Sequence, residues 1–407
     1  MIGFNFVKSI QNREEIKVER ADILIVGAGQ AGAYAAIALR QHGYVGSITM
    51  IGEEASLPYE RPPLSKEYFS GDKIFERLLI RPETFWRERD ITLLTGQRLI
   101  SIDPVGHVIK TEKAMELGYG QCIWAAGGKP RRLSCKGADL RGIYGFRTKE
   151  DADAILGSLE ETKNVVIIGG GYIGLETASA LIKKGKKVTL LEASDRLLSR
   201  VAGKVVSGYF AHVHQMHGVD IRTSISLDGF IGTDHVEFIR LANGEEIPCD
   251  MVIVGIGITP NVAPLLEAGA RGGNGVEVDA QCKTSLEDIY AIGDCALHYN
   301  HFANGMAIRL ESVQNANDQA VVAAKNIIGK TAAYESLPWF WSNQYNLKLQ
   351  TVGLSNGYDE EVIKGDPEQG RFSVFYLRNG HVIAVDCINS PSDFVQSRKL
   401  IHQKFVT

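Results

Sequence analysis

The sequence predicts an α/β fold with two Rossmann-like domains, followed by a C-terminal α+β domain. Two observations support the first part. A glycine-rich motif joins an apolar strand to a helix at residues 27–32 and again at residues 169–174, and a second strand and an acidic residue follow each copy. A third observation predicts the last domain, because short apolar runs after residue 328 are separated by turn residues such as Asn379-Gly380.

Both copies of the motif repeat the same order of strand, glycine turn, helix, strand and acidic residue. The first copy has these at Ile23–Val26, Gly27–Gly32, Ala33–Leu39, Ser47–Ile51 and Glu53. The second has them at Val165–Ile168, Gly169–Gly174, a helix through Leu181, Lys187–Leu191 and Glu192. In such a unit the first glycine permits a tight turn, the second lets the backbone approach a pyrophosphate, and the third lets the helix pack on the strand. The repeat therefore predicts two bound dinucleotides.

Composition excludes several other classes of protein. Lysine and arginine total 44 and aspartate and glutamate 48 in 407 residues, so the net charge of −4 does not favour nucleic-acid binding. An apolar stretch of about 18 residues, long enough to cross a membrane, does not occur. The six cysteines are scattered without a CxxC pair, which favours free thiols in a reducing cytoplasm. Residues 1–20 are interpreted as an N-terminal extension.

Five further stretches resemble known flavoproteins. They are Pro58–Lys66, Ile123–Gly128, Thr284–Asp294, Arg309–Ala316 and Pro338–Tyr345. Ile123–Gly128 and Thr284–Asp294 resemble the wider superfamily of flavoprotein reductases that bind two dinucleotides. The other three stretches are similar to the FAD-dependent NADH:ferredoxin reductases of oxygenase systems, the group of putidaredoxin reductase, rubredoxin reductase and the reductase components of Rieske dioxygenases. The second stretch departs from the superfamily pattern, because it has Ala-Ala-Gly where Ala-Thr-Gly is usual.

The resemblance implies a glutathione-reductase-like arrangement of domains. Residues 21–128 and 258–327 would form the FAD-binding domain, residues 129–257 the NADH-binding domain, and residues 328–407 the C-terminal domain. It also implies site residues. Those expected at FAD are Gly27, Gly29, Gln30, Ala31, Gly32, Glu53, Arg61, Lys66, Leu99, Ala125, Gly127, Arg131, Asp294 and Val313. Those expected at NADH are Gly169, Gly171, Tyr172, Ile173, Gly174, Glu176, Glu192 and Gly257.

Four of the implied residues are expected to act in the reaction itself. By the resemblance, Lys66 lies beside the reacting nitrogen of the flavin, and Glu176 reaches the nicotinamide and pairs with Lys66. Tyr172 resembles an aromatic gate for NADH, and Trp339 packs where electrons leave the flavin. The alternative interpretation of Tyr172 and Trp339 is as core aromatics, and that of Lys66 is as a surface lysine.

The second acidic residue bears on the choice of cofactor. Glu192 would repel a 2′-phosphate and accept hydrogen bonds from a free ribose hydroxyl, which favours NADH over NADPH. Arg196, four residues later, would weaken that preference.

The position of the first cysteine bears on the route of the electrons. Related reductases with a redox-active thiol carry it just after the first glycine motif, whereas this chain has no cysteine before Cys122. Electrons are therefore expected to pass from flavin to an external acceptor, a [2Fe–2S] ferredoxin by the resemblance, with the chain acting as a monomer or weak dimer.

Two rival functions remain at this point. One is a flavin reductase with a small-molecule acceptor such as monodehydroascorbate or a quinone. The other is a non-catalytic FAD- and NAD-binding regulator that resembles apoptosis-inducing factor. A metal site at His212, His214 and His217 is not expected, because helical geometry turns i and i+2 side chains to different faces. We expect these three histidines to be solvated.

Overall fold

The computed structural model describes residues 19–406. One arrangement of strands and helices occurs twice along this part of the chain. The helices are α1 Gln30–Gln41, α2 Glu67–Ser70, α3 Glu83–Glu88, α4 Lys149–Ser158, α5 Tyr172–Lys183, α6 Lys204–Met216, α7 Ala263–Glu267, α8 Val313–Ile327 and α9 Pro391–Val406. Short 3₁₀ turns occur at Pro62–Ser65, Phe75–Leu78, Gly293–Cys295 and His301–Ala303.

The strands fall into groups along the chain. The first group is β1 Glu19–Val26, β2 Ile48–Ile51, β3 Ile91–Leu94, β4 Leu99–Asp103, β5 Val108–Thr111 and β6 Glu116–Trp124. Next come β7 Gly128–Pro130, β8 Ile143–Gly145, β9 Asn164–Ile168, β10 Lys187–Leu191, β11 Asp220–Arg222, β12 Leu227–Ile231, β13 Phe238–Leu241, β14 Glu246–Pro248, β15 Met251–Val254 and β16 Ile258–Pro260. Then follow β17 Gly272–Gly273, β18 Gly275–Val278, β19 Ile289–Ala291, β20 Ala296–Asn300 and β21 Met306–Ile308. The last are β22 Trp339–Gln344, β23 Leu347–Gly353, β24 Glu360–Asp366, β25 Arg371–Arg378 and β26 His381–Ile388.

The first sheet has the order β3-β2-β1-β6-β5-β4, and β19 pairs with β6. Strand β1 runs parallel to both of its neighbours, β2 and β6. The chain leaves β1 toward one side of the sheet and returns on the other, which opens a crevice at the carboxyl end of β1. Ligands of open α/β sheets bind at such a point. Because β19 lies far along the chain from β1, this sheet is built from both of the segments assigned to the FAD-binding domain.

The second sheet repeats this layout with the order β11-β10-β9-β15-β8. All of its pairings are parallel, and β9 lies between β10 and β15 as β1 lies between β2 and β6. The two predicted Rossmann-like units are therefore present, each with its glycine motif directly after the central strand. Their exact domain boundaries stay a prediction.

The helix after each central strand packs on its sheet through small residues. A Cβ on Gly32 would lie 1.9 Å from the carbonyl oxygen of Gly27, and one on Gly174 would lie 2.1 Å from that of Gly169. Ala36 and Ala178, at matching places in α1 and α5, are fully buried. Any larger residue at the third glycine of either motif would push the helix away from the sheet.

The C-terminal domain is an antiparallel sheet of order β22-β23-β26-β25-β24, with α9 packed on it. Asn379 and Gly380 have φ of 51° and 74° between β25 and β26, as a two-residue type I′ hairpin requires. This confirms the predicted turn. The sheet also holds the start of α6, because the Gly203 amide donates to the Tyr376 hydroxyl at 3.0 Å and that hydroxyl donates to the buried Asp386 at 2.6 Å.

Two further expectations from the sequence concern the N-terminal segment and membrane-spanning helices. Most of the predicted extension, residues 1–18, lies outside the described residues, and Glu19 and Arg20 belong to β1 rather than to an extension. Within the described part of the chain, no helix combines the length and the apolar character needed to cross a bilayer.

Candidate active site

Residues of both glycine motifs and of the start of the C-terminal domain line one cavity of about 1880 Å³. Of the residues expected at the cofactors, those that line it are Gly27, Gly29, Gln30, Ala31, Glu53, Arg61, Lys66, Leu99, Ala125, Gly127, Arg131, Asp294, Val313, Gly169, Gly171, Tyr172, Ile173, Glu176, Glu192 and Gly257. Trp339 lines it as well. Gly32 and Gly174 do not line it, because each is enclosed between its helix and strand, in keeping with the packing role expected of the third glycine.

Neither the backbone conformation nor the packing of the protein requires glycine at the middle position of each motif. Gly29 and Gly171 have φ of −90° and −82°, which any residue adopts. A Cβ on Gly171 would meet no protein atom within 4 Å, and one on Gly29 only the Arg61 guanidinium at 3.8 Å. By contrast, Gly27 and Gly169 have φ of 110° and would clash with a neighbouring backbone. Space left open at Gly29 and Gly171 therefore fits the close approach of a pyrophosphate.

A group of charged side chains surrounds the Gly-Asp turn after β19. Asp294 accepts from the Arg147 guanidinium at 2.6 Å, and its backbone carbonyl accepts from Arg309 at 2.6 Å. Among the described residues, the buried Nε atoms of Arg147 and Arg309 find no acceptor. Buried donors are normally satisfied, so a bound group that carries an acceptor fits at these two atoms. An FAD in this part of the cavity would supply one.

Lys66 and Glu176 form a nearly buried ion pair at the boundary between the two Rossmann-like units. The Lys66 ammonium lies 2.9 Å from Glu176 Oε2, with side-chain exposures of 11% and 1%. Glu176 also accepts hydrogen bonds from Ser65 at 2.8 Å and Ser342 at 2.6 Å. Such a charge is tolerated inside only with its partners in place. The pairing expected from the resemblance is present, and Ser342 extends it to the C-terminal domain.

Aromatic side chains also line the cavity. Tyr172, the first residue of α5, packs against Phe340 with ring centroids 4.5 Å apart. The ring centroids of Trp339 and Trp341 are 5.6 Å apart, and the Arg398 guanidinium lies 5.8 Å from the centroid of the Trp339 ring. All but Arg398 line the cavity. The structure thus places Tyr172 and Trp339 at the cavity, where their expected roles stay predictions.

The two acidic residues that follow the second strands differ in their surroundings. Glu53 is 65% exposed and lies 3.7 Å from Arg98. Both oxygens of Glu192 accept backbone N–H groups, from Gly170 at 2.6 Å and Ser194 at 2.7 Å. Arg196 donates to the carbonyl oxygens of its own loop at Ala202 and Ser199, so the expectation that it weakens the NADH preference is not supported.

None of the six thiols offers a redox relay. All six are free, and five of them are buried. Burial raises the pKa of Cys295, which follows Asp294, to about 12 and that of Cys249 to about 12. Because the thiolate is the reactive form, these groups are inert near neutral pH.

One expectation about the histidines is wrong. His214 is fully buried, with Nε2 2.8 Å from Gln344 and Nδ1 3.1 Å from the Tyr345 hydroxyl, because α6 packs against the C-terminal sheet. His212 and His217 are exposed as expected. Within the residues that the structure covers, no group of potential ligands is arranged for a metal ion.

Comparisons with known proteins agree with this arrangement. The family model described as pyridine nucleotide-disulphide oxidoreductase matches residues 21–320, and that described as reductase C-terminal matches residues 339–406. The chain belongs to the pyridine nucleotide-disulphide oxidoreductase family. Members of this family use FAD and NAD(P)H, which assigns the two dinucleotides that the repeated motif predicts.

Individual relatives of this flavoprotein cover nearly all of it. It is 53% identical over 382 residues to the ferredoxin reductase subunit of 5,5′-dehydrodivanillate O-demethylase from Sphingobium sp., covering 93% of each chain. It is 51% identical to a ferredoxin–NAD(P)⁺ reductase from Sphingomonas sp., covering 94% of this chain and 93% of the other. The reductase in a covalent putidaredoxin reductase–putidaredoxin complex superposes with a TM-score of 0.90 at 37% identity, covering 94% and 93% of the chains. The resemblance noted in the sequence is confirmed.

Several residues of the site were not identified from the sequence. Glu54 pairs with Arg61 at 2.5 Å. Arg147 and Ser342 hold Asp294 and Glu176 across large separations in the chain. Ser342 lies within one of the five family-like stretches, which was the available signal. Nothing in the sequence around Arg147 indicates its partner.

Proposed function

We propose that this flavoprotein is an NADH:ferredoxin reductase that delivers single electrons to a [2Fe–2S] ferredoxin of an oxygenase system. The observation that carries the proposal is the desolvated Lys66–Glu176 pair, set between two dinucleotide cradles in one cavity with no thiol between them. The names of its relatives, a demethylase reductase subunit and a ferredoxin reductase, support the choice of partner. A cytoplasmic location and a monomeric or weakly dimeric state belong to the same proposal.

Individual residues contribute placement and charge to this reaction. The amides beside Gly29 and Gly171 bind the two pyrophosphates, since helix N-termini attract phosphate. FAD held by the cradle around Gly29 and Asp294 would supply the chemistry that converts a hydride from NADH into single electrons. Lys66 stabilises the negative charge that builds up on reduction, and Glu176 holds Lys66 and the nicotinamide in position. Tyr172 closes over the nicotinamide site, and Trp339 packs where the ferredoxin approaches.

A comparison of acceptors tests the proposal. The purified, FAD-loaded protein is given NADH and either a [2Fe–2S] ferredoxin or a small quinone, and both half-reactions are followed by anaerobic stopped flow. We expect ferredoxin to accelerate reoxidation of the flavin by far more than the quinone does. Faster reoxidation by the quinone, with no gain from ferredoxin, would favour the small-molecule reductase instead. Absence of turnover with every acceptor, together with a persistent reduced flavin–NAD complex, would favour the regulator.

Cofactor choice gives a separate prediction. Glu192→Gln removes a charge whose repulsion of a nearby 2′-phosphate is worth about 1–4 kcal/mol at a separation of about 4 Å. We expect the ratio of kcat/KM for NADH to that for NADPH to fall about tenfold, the change that about 1.4 kcal/mol produces. Glu237→Gln, an exposed residue of the same part of the chain, is the control and should leave the ratio unchanged. An unchanged ratio in Glu192→Gln would remove Glu192 from the ribose site.

A further inference from the structure

A chain of buried hydrogen bonds leads from the Lys66–Glu176 pair to helix α6. Glu176 Oε1 accepts from the Ser342 hydroxyl at 2.6 Å, and that hydroxyl accepts from Gln344 Nε2 at 3.1 Å. Gln344 Oε1 lies 2.8 Å from His214 Nε2. The three residues beyond Glu176 are each at most 2% exposed. The ion pair at the cavity is therefore connected, without an intervening gap, through β22 of the C-terminal domain to the imidazole of His214 on α6.

The charge of Glu176 sets the direction of every bond in this chain. An ionised carboxylate only accepts, so Ser342 must give it the single hydroxyl proton that it has. Ser342 then accepts from the amide nitrogen of Gln344, which leaves the amide oxygen to accept from His214. His214 must therefore carry its proton on Nε2, and its Nδ1 accepts from the Tyr345 hydroxyl at 3.1 Å. Each donor points toward Glu176.

The surroundings of His214 keep it in this neutral form. Burial lowers the pKa of His214 to about 4, with a smaller lowering from the neighbouring His217. The groups that face it are the Gln344 amide and the Tyr345 hydroxyl from the C-terminal domain and His217 from its own helix. The imidazole is thus neutral near pH 7 and holds one tautomer.

We propose that His214 is a positioning residue for reduction of the flavin, acting through Gln344 and Ser342 to fix a hydroxyl donor on Glu176. This inference rests on the proposed function only as far as NADH reduces the bound flavin, and it does not depend on the acceptor. Without the N–H donor of His214, the side-chain amide of Gln344 is free to flip. Ser342 then loses the Gln344 N–H group whose hydrogen bond directs the hydroxyl proton of Ser342 to Glu176. Glu176 would then be held less firmly against Lys66.

Two substitutions at His214 separate hydrogen bonding from packing. His214→Phe keeps a ring in the site but removes the donor, whereas His214→Gln retains an N–H group that reaches Gln344. His212→Phe, an exposed position of the same helix, is the control. The rate of anaerobic flavin reduction by NADH, with no acceptor present, is measured for each variant in the wild-type and Glu176→Gln backgrounds. The tautomer of His214 in the oxidised protein is read from nitrogen NMR.

We expect His214→Phe to slow reduction about tenfold, the scale of one lost hydrogen bond to a charged group. His214→Gln should recover most of the rate, and the effect of His214→Phe should disappear in the Glu176→Gln background because the two residues act as one unit. Nitrogen NMR should find the proton on Nε2. The proposal would be overturned by equal slowing in both backgrounds, by equal slowing in His214→Phe and His214→Gln, or by a proton on Nδ1. If His214→Phe does not fold in the Glu176→Gln background, the comparison of Phe with Gln and the position of the proton can still be measured.

The design also separates this inference from the ferredoxin proposal. A wild-type protein whose flavin is reduced by NADH but not reoxidised by ferredoxin contradicts the ferredoxin proposal alone. A wild-type protein whose flavin NADH does not reduce contradicts both.

Discussion

Substitution of either member of the Lys66–Glu176 pair is expected to slow reduction of the flavin by NADH about 10²-fold, the usual cost of misplacing reacting groups. Lys66→Ala removes the cation that stabilises charge on the reduced flavin, and Glu176→Ala removes the carboxylate that orients it. Retention of FAD should change little, because the FAD cradle around Gly29 and Asp294 is untouched. Anaerobic stopped flow measures the first quantity, and flavin release on gel filtration measures the second.

Stability gives an independent readout of the same pair. Either single substitution leaves a buried charge uncompensated, which costs about 3–5 kcal/mol, whereas the double variant Lys66→Met with Glu176→Gln removes both charges and should recover part of the loss. The matched control is Lys110→Met, which breaks an exposed pair with Glu116 and should leave stability nearly unchanged. Reduction rates within twofold of the wild type in both single variants would remove Lys66 and Glu176 from the proposed site.

The location of this pair explains why it can affect both folding and reaction. Lys66 follows the first Rossmann-like unit, Glu176 lies on α5 of the second, and Ser342 lies on β22 of the C-terminal domain. A displacement of any one of these three parts therefore changes the partners of one carboxylate. The orientation of the Glu176 carboxylate thus depends on how all three parts pack together.

The parts of the fold that the sequence predicts are those set by local rules. Glycine spacing and apolar runs place both Rossmann-like units, and Asn379-Gly380 places a hairpin, because each depends on the conformation of a few neighbouring residues. Helix α1 begins at Gln30 rather than Ala33, because the turn needs only Gly27–Gly29 and Gly32 already belongs to the helix. Motif and family resemblance likewise place nearly all expected cofactor residues at one cavity.

The partners of these residues depend on tertiary packing and could not be read from the sequence. Ser342 and Glu176 are 166 residues apart, and Arg147 and Asp294 are 147 apart. His214 was expected to be solvated because helical geometry argued against a metal site, whereas packing against the C-terminal domain buries this one of the three histidines. Periodicity shows which residues share a helix face, but it does not show which face another domain will cover.

Replacement of the middle glycines should affect the ligands and not the fold. Gly171→Ala adds a methyl group that meets no protein atom within 4 Å, in a conformation that alanine adopts freely. That methyl would occupy the space predicted for the NADH pyrophosphate, and overpacking of this kind costs about 1–3 kcal/mol. We expect an unchanged melting temperature of the FAD-loaded protein and a KM for NADH raised about tenfold or more. Gly29→Ala should instead weaken retention of FAD.

Gly174→Ala, three residues farther along, supplies the contrast that makes this test decisive. Its methyl would lie 2.1 Å from the Gly169 carbonyl oxygen, so the helix must move and the protein should lose stability before any effect on NADH is measured. The same chemical change thus separates the two physical reasons for glycine within one motif. If Gly171→Ala lowered the melting temperature as much as Gly174→Ala and left the KM unchanged, the middle glycine would serve packing, and the second cradle would have no dinucleotide to accommodate.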